Sequence, residues 1–275
     1  MTTQINELII LKMGGAAITD KKQERTPHKQ TITQVAKTLS QFEQNRPPIV
    51  IVHGAGSYGH PYAYRHRLVE GYVPSQKNQL SGLIETHLAV RELHDLILQT
   101  LYSHDLPVIS FPPHSCFYQS EKGWEINIDA IYKALEIGLI PVLHGDIAFR
   151  SDVKKFTILS GDVIIQELAR RFKPKEVLYG TDVDGLFTSD PSTDPNAEFI
   201  PELSYSELKT LIQELSEVNA TKKDVTSGIK GKLEAILQIN EMKIPTSIFN
   251  LRSETYLLDY VLGKKLFGTR FLPKE

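Results

Sequence analysis

The 275-residue sequence predicts an α/β protein, a three-layer αβα sandwich around a mainly parallel central sheet. Two observations predict it. Short runs of branched apolar residues alternate with longer segments whose apolar residues recur at helical spacing, which is the pattern of strand–crossover–strand units. Several strand-like runs also end in glycine and polar residues, which places ligand chemistry at the carboxyl ends of parallel strands.

The elements follow in order. Leu8-Ile9-Ile10-Leu11 reads as a buried strand and ends in Lys12-Met13-Gly14-Gly15-Ala16-Ala17. Ile32, Val35, Ala36, Leu39 and Phe42 give Gln30 to Phe42 a helical period. Pro47-Pro48 breaks the chain, and Ile49 to Val52 forms a second strand that ends in His53-Gly54-Ala55-Gly56-Ser57-Tyr58-Gly59-His60. Ser81 to Ser103 is helical, Pro107 to Ser110 a short strand and Asp129 to Glu136 a helix. Leu139 to Leu143 reads as a strand ending in His144-Gly145-Asp146. Phe156 to Leu159 leads into Ser160-Gly161-Asp162 and a helix through Val163 to Arg171. Lys173-Pro174-Lys175 marks the boundary between two lobes, 1–172 and 173–275, of one continuous domain. Beyond it come a strand at Glu176 to Tyr179, a loop from Gly180 to Gly185, helices at Ser204 to Leu215 and Gly228 to Asn240, and a strand at Thr246 to Asn250.

Composition narrows the function. Hydrophobic residues make up 41% and charged residues 23%, so the chain can bury a sizeable core and disorder is excluded. Lys+Arg is 31 and Asp+Glu is 33; this balance argues against a general nucleic-acid binder but leaves room for a small basic pocket. The one cysteine, Cys116, has no internal partner, which points to a reducing, cytoplasmic setting. Met1 to Glu7 is polar and does not read as a signal peptide, and no apolar run approaches the ~20 residues of a membrane span.

The glycine loops carry the chemistry. Gly54 to Gly59 satisfies G-x-G-x-x-G, but the dinucleotide reading needs a second strand with an acidic end, and Gly71 to Gln76 offers none. His60-Pro61 stands where a Walker loop needs Lys-Ser or Lys-Thr. What remains is a loop whose small residues let backbone N–H groups approach an anion. Lys12-Met13-Gly14-Gly15 makes a second such loop with an ammonium beside it, and Lys21 lies within reach of the same anion. Asp182-Val183-Asp184-Gly185 brings carboxylates to a strand end with spacing that excludes an EF-hand. Asp224 to Lys232 opens a helix that Thr226 or Ser227 would cap, and its dipole together with Lys232 favours an anion there. His87, His94 and Trp124 carry no assignment.

In order along the chain, these segments resemble the amino acid kinase family, and within it the branch that acts on isopentenyl phosphate. The match comprises Lys12-Met13-Gly14-Gly15-Ala16, His53 to His60, His144-Gly145-Asp146, Ser160-Gly161-Asp162, Thr181 to Gly185 and Asp224 to Gly228. His60 in Gly59-His60-Pro61 is the feature of that branch; a phosphonate kinase of the fosfomycin type shares such a histidine, and a nucleotide-binding protein without turnover is the reading from another class. The resemblance implies an amino acid kinase or carbamate kinase-like fold and transfer of the ATP γ-phosphoryl group to isopentenyl phosphate, with Mg²⁺ on the ATP. It leaves dimethylallyl phosphate open as a second acceptor and implies a homodimer. It assigns Lys12 and Lys21 to the transferred phosphoryl group, and Asp162 to orienting both lysines. It assigns His60, Gly54, Ala55 and Gly161 to the acceptor phosphate, with the apolar residues around Leu80 to Leu98 walling the prenyl tail. Lys12, Gly14, Gly15, Ala16, Gly56, Asp182, Gly185, Gly228 and Lys232 are assigned to the nucleotide. Two departures stand out: Ala16 replaces a usual serine, and Ser227 a usual glycine.

Overall fold

The computed structural model describes residues 7–42, 46–189, 191, 194–221 and 227–275. From the N-terminus, β1 (Ile9–Met13) runs into the one-turn helix α1 (Gly15–Ile18), and α2 (Lys29–Leu39) returns the chain to β2 (Ile49–His53). Then come α3 (His60–Arg65), the long α4 (Gln79–Tyr102), β3 (Val108–Ser110), the one-turn α5 (Pro113–Cys116) and a hairpin of β4 (Phe117–Ser120) and β5 (Gly123–Ile126). Next, α6 (Ile128–Glu136) leads to β6 (Ile140–His144), β7 (Asp146–Arg150) and β8 (Phe156–Leu159), and α7 (Gly161–Phe172) leads to β9 (Glu176–Thr181). The remainder holds β10 (Leu186–Phe187), β11 (Phe199–Ile200), β12 (Glu202–Leu203), α8 (Tyr205–Thr221), α9 (Ser227–Glu241), β13 (Thr246–Asn250), α10 (Tyr256–Val261) and β14 (Thr269–Phe271).

Eight strands form the central sheet in the order β12-β14-β13-β9-β1-β2-β6-β3. Every neighbouring pair is parallel except β13 with β14. The mainly parallel sheet expected from the alternating pattern is therefore present. Its central strands β1, β2 and β6 are buried along their whole length, as strands covered on both faces must be. Successive side chains of a strand point to opposite faces. Ile10, Val50 and Val52 accordingly join one core with Ile164, Leu168 and Ile236, under α7 and α9. Ile9, Leu11, Ile49 and Ile51 join the other with Ile32, Val35, Leu93 and Ile97, under α2 and α4. These two cores are the interfaces of the three layers. Because β9 pairs with β1 on one side and β13 on the other, the sheet runs unbroken past 173–175. No helix among the described residues is long and apolar enough to cross a membrane.

A second sheet, in the order β5-β4-β7-β8, had no counterpart in the sequence reading. Its strands are short and only partly buried, so neither a continuous apolar run nor a clean alternation marks them. β7 begins one residue after β6 ends, which makes His144-Gly145-Asp146 a corner between two strands.

Candidate active site

The chemistry gathers where β1 and β2 end and α7 begins. Lys12 is buried, and its Nζ lies 2.5 Å from Asp162 Oδ1. Its ammonium also sits over the Tyr179 ring, 5.4 Å from the centroid. Asp162 occupies the first turn of α7, where the helix dipole favours an anion. Ser160 caps that helix, its Oγ accepting the Val163 N–H at 3.2 Å, a contact worth ~1 kcal/mol.

The two glycine loops pack backbone against backbone. A Cβ on Gly15 would stand 2.6 Å from the Gly56 nitrogen, and one on Gly54 would stand 2.6 Å from the Gly15 nitrogen. Glycine is required here by the close approach of the loops to each other, a reason the sequence reading did not supply. Thr19 stitches the same contact: its Oγ1 donates to Gly15 O at 2.8 Å and accepts the Ser57 N–H at 3.0 Å. Arg252 reaches across from the end of β13 and donates to Ala17 O at 3.2 Å and Ala16 O at 2.5 Å. Neither Thr19 nor Arg252 had been singled out; nothing local in the sequence marks either.

Beside these loops lies a cavity of about 450 Å³. Lys12, Lys21, His60 and Asp162 line it together with the loops, and so do the apolar side chains of Ala63, Val90, Ile158 and Leu159. Gly15 and Ala16 open α1, and Gly161 and Asp162 open α7. First-turn N–H groups have no partner within their own helix, so four donors are available at the cavity wall. His60 opens α3 at the cavity mouth and remains accessible to solvent. Desolvation by the cleft walls, and then the nearby Lys12 ammonium, hold its pKa below the ordinary histidine value. At neutral pH His60 is thus a neutral imidazole that can donate one hydrogen bond.

Residues after β9 complete the charge pattern. Lys21 Nζ pairs with Asp182 Oδ2 at 2.7 Å. Burial alone would raise the Asp182 pKa, but the hydrogen bond and charge of Lys21 outweigh it and the net shift is downward. Lys232 on α9 is pulled down to about 8, first by burial and then by Lys12, against the opposing pull of Asp162 and Asp182.

Behind the cavity, three imidazoles stack. His53 and His94 have centroids 5.2 Å apart, His53 and His144 5.3 Å, and His94 and His144 4.3 Å. His53 Nε2 bonds His94 Nδ1 at 2.9 Å, and His94 Nε2 bonds Ser110 Oγ at 2.7 Å. His53 and His144 also bond the carbonyls of Gly54 and Gly145. Burial drives all three pKa values down to about 3.

The structure brings together at the cavity Lys12, Lys21, His60, Asp162, Gly15, Ala16, Gly54, Ala55, Gly56 and Gly161. Other expectations need correction. Asp162 holds Lys12 but not Lys21, whose partner is Asp182, just after the end of β9. Gly14 packs against the Gly180 carbonyl, and Gly185, at φ +149, packs against Thr269 and Phe199; neither lines the cavity. Of the apolar residues expected to wall a substrate tail, Val90 lines the cavity, whereas Leu80 and Leu88 are more than half exposed. Gly228 is the second residue of α9, but its surroundings and the 224–226 segment lie outside the described residues.

A parallel αβα sheet, with two glycine loops, paired lysines and helix N-termini at its carboxyl edge, defines a small-molecule kinase. A model of the amino acid kinase family matches residues 7–250, and the chain belongs to that family. Among its relatives, the isopentenyl phosphate kinase of Methanothermobacter thermautotrophicus is 31% identical, covering 98% of this chain and all of the relative. That of Methanocaldococcus jannaschii is 29% identical over 94% of this chain and 96% of the relative. A crystal structure of an isopentenyl phosphate kinase superposes with a TM-score of 0.81 at 27% identity, covering 96% of this chain and all of that one.

Proposed function

We infer that this chain transfers the γ-phosphoryl group of ATP to the phosphate of isopentenyl phosphate, releasing isopentenyl diphosphate and ADP. One observation carries the reading: a single cavity is lined both by ammonium and backbone N–H groups and by apolar side chains, as a phosphorylated hydrocarbon requires. Full-length relatives with that activity support it.

A phosphate monoester has a second pKa of ~6 and is already a dianionic nucleophile at neutral pH. No general base is needed. The difficulty is the mutual repulsion of two polyanions, so catalysis is positioning and charge stabilisation. Lys12, held by Asp162, meets the transferred phosphoryl oxygens. Lys21 exchanges its exposed pairing with Asp182 for a phosphate. His60 donates to the acceptor phosphate, whose dianion raises the imidazole pKa and strengthens that bond as it forms. Gly54, Ala55 and Gly161 add backbone contacts to the acceptor, while Gly15, Ala16, Gly56, Asp182 and Lys232 face the nucleotide. Asp162 and Asp182 are hard oxygen donors of the kind Mg²⁺ takes, and each keeps a second carboxylate oxygen beyond its lysine pair. Bound with ATP, Mg²⁺ would neutralise phosphate charge.

A homodimer is part of the same reading. Leu80, Ile84 and Leu88 repeat at four-residue spacing along α4 and are each more than half exposed, an apolar stripe suited to a second copy. The function is tested by ADP release with isopentenyl phosphate, dimethylallyl phosphate and fosfomycin side by side. Acceptor-dependent release with isopentenyl phosphate supports the reading. Release with fosfomycin alone overturns the choice of substrate.

A further inference from the structure

Apart from the glycine loops, two imidazoles converge on one carboxylate oxygen. His87 on α4, His114 on α5 and Asp146 at the start of β7 each offer one ligand atom, and these atoms all lie within 4.8 Å of one another. The Asp146 side chain is fully buried, and its Oδ1 accepts the Ile147 N–H at 2.8 Å. Its Oδ2 bonds His87 Nδ1 at 2.7 Å and faces His114 Nδ1 at 3.9 Å and His144 Nδ1 at 4.0 Å. His144 Nδ1 already reaches the Gly145 carbonyl. His114 Nδ1 is buried with no hydrogen-bond partner, a state that costs free energy.

We propose that His87 Nδ1, His114 Nδ1 and Asp146 Oδ2 bind one divalent transition-metal ion of the zinc class, separate from any Mg²⁺ carried by ATP. A simple ion pair satisfies His87 and Asp146 but strands His114. A single cation satisfies all three at once. Two imidazoles and a carboxylate suit Zn²⁺ and its neighbours, whereas Mg²⁺ and Ca²⁺ prefer an all-oxygen shell. Tetrahedral ligation with bonds of about 2.0–2.2 Å sets donor atoms about 3.4 Å apart. The 2.7 Å and 3.9 Å separations bracket that spacing, so modest side-chain rotation closes the site. His87 and His114 are both partly exposed, which gives the ion a route from solvent. Bound there, it clasps α4, α5 and β7, and Asp146 borders the acceptor cavity. The ion would therefore brace a wall of that cavity without touching the transferred phosphate.

The test uses the tag-free full chain, stripped with EDTA and titrated with Zn²⁺ or Co²⁺ in the absence of nucleotide and acceptor. Omitting both makes the outcome independent of the kinase reading. The expected result is one ion per chain, visible ligand-field bands with Co²⁺, a higher Tm with Zn²⁺, and no displacement by excess Mg²⁺. His114→Gln and His87→Gln should each weaken binding by at least about tenfold, while the remote His104→Gln leaves it unchanged. Absence of stoichiometric binding in the wild type overturns the proposal. So does wild-type affinity in both ligand variants.

Discussion

The stacked trio of His53, His94 and His144 should make this protein unusually sensitive to mild acid. Burial holds each folded-state pKa at about 3, against an ordinary value of 6.5. The folded chain therefore keeps these imidazoles neutral where the unfolded chain protonates them. Stability from this source is fully present above the unfolded value and is lost as pH falls below 6.5 toward the folded value. Integrating the proton difference from pH 7 to pH 5 gives about 2 kcal/mol per histidine and about 6 kcal/mol for the three. A loss of that size is comparable to the whole stability of many domains, typically about 5–15 kcal/mol. His60 and His114 shift in the same direction, while His87, raised by its bond to Asp146, opposes them. The assay is urea unfolding at half-unit steps between pH 7 and pH 5, for wild type and His94→Leu. Removing one imidazole should reduce the trio's share of the pH slope by about a third, whatever it does to absolute stability. Equal slopes in the two proteins would refute the claim that the buried stack excludes protons.

Three further outcomes follow from the site. Gly15→Ala places a methyl group 2.6 Å from the Gly56 nitrogen, so it should cost about 1–3 kcal/mol in thermal or urea unfolding and lower turnover by moving the two loops apart. His60→Ala and His60→Asn should each lose most turnover with isopentenyl phosphate, about 10²-fold or more if the imidazole bond strengthens in the transition state; unchanged kinetics in both would remove His60 from the mechanism. Lys232, at about 8, carries its charge below that pH and loses it above, so the KM for ATP should rise between pH 7 and pH 9 in the wild type, and Lys232→Met should flatten that profile.

Much of the fold was legible because its strands are buried on both faces. Ile9 to Leu11 and Ile49 to Val52 can satisfy such runs of branched apolar residues only inside a parallel sheet. Lys12 was legible because it sits near the end of such a strand, and His60, Gly161 and Asp162 because each follows a strand in a glycine-bearing turn that exposes polar atoms. What escaped was contact between distant residues. Arg252 bonds Ala16 across 236 positions of chain, and Lys21 pairs with Asp182 rather than Asp162 through a loop path that no local pattern encodes. The glycines were noticed as anion-binding elements, yet Gly15 and Gly54 are needed first for each other. His94, a helix residue without a motif, acquires meaning only when β2, β3 and α4 meet around it.

The account rests on direct transfer between two phosphorylated molecules held in one cleft. The most direct measurement is ³¹P NMR of the enzyme with ATP, Mg²⁺ and isopentenyl phosphate. The prediction is loss of the monoester signal, matched one for one by a new diphosphate signal and by ADP. ADP accompanied by free inorganic phosphate, with the monoester intact, would contradict it.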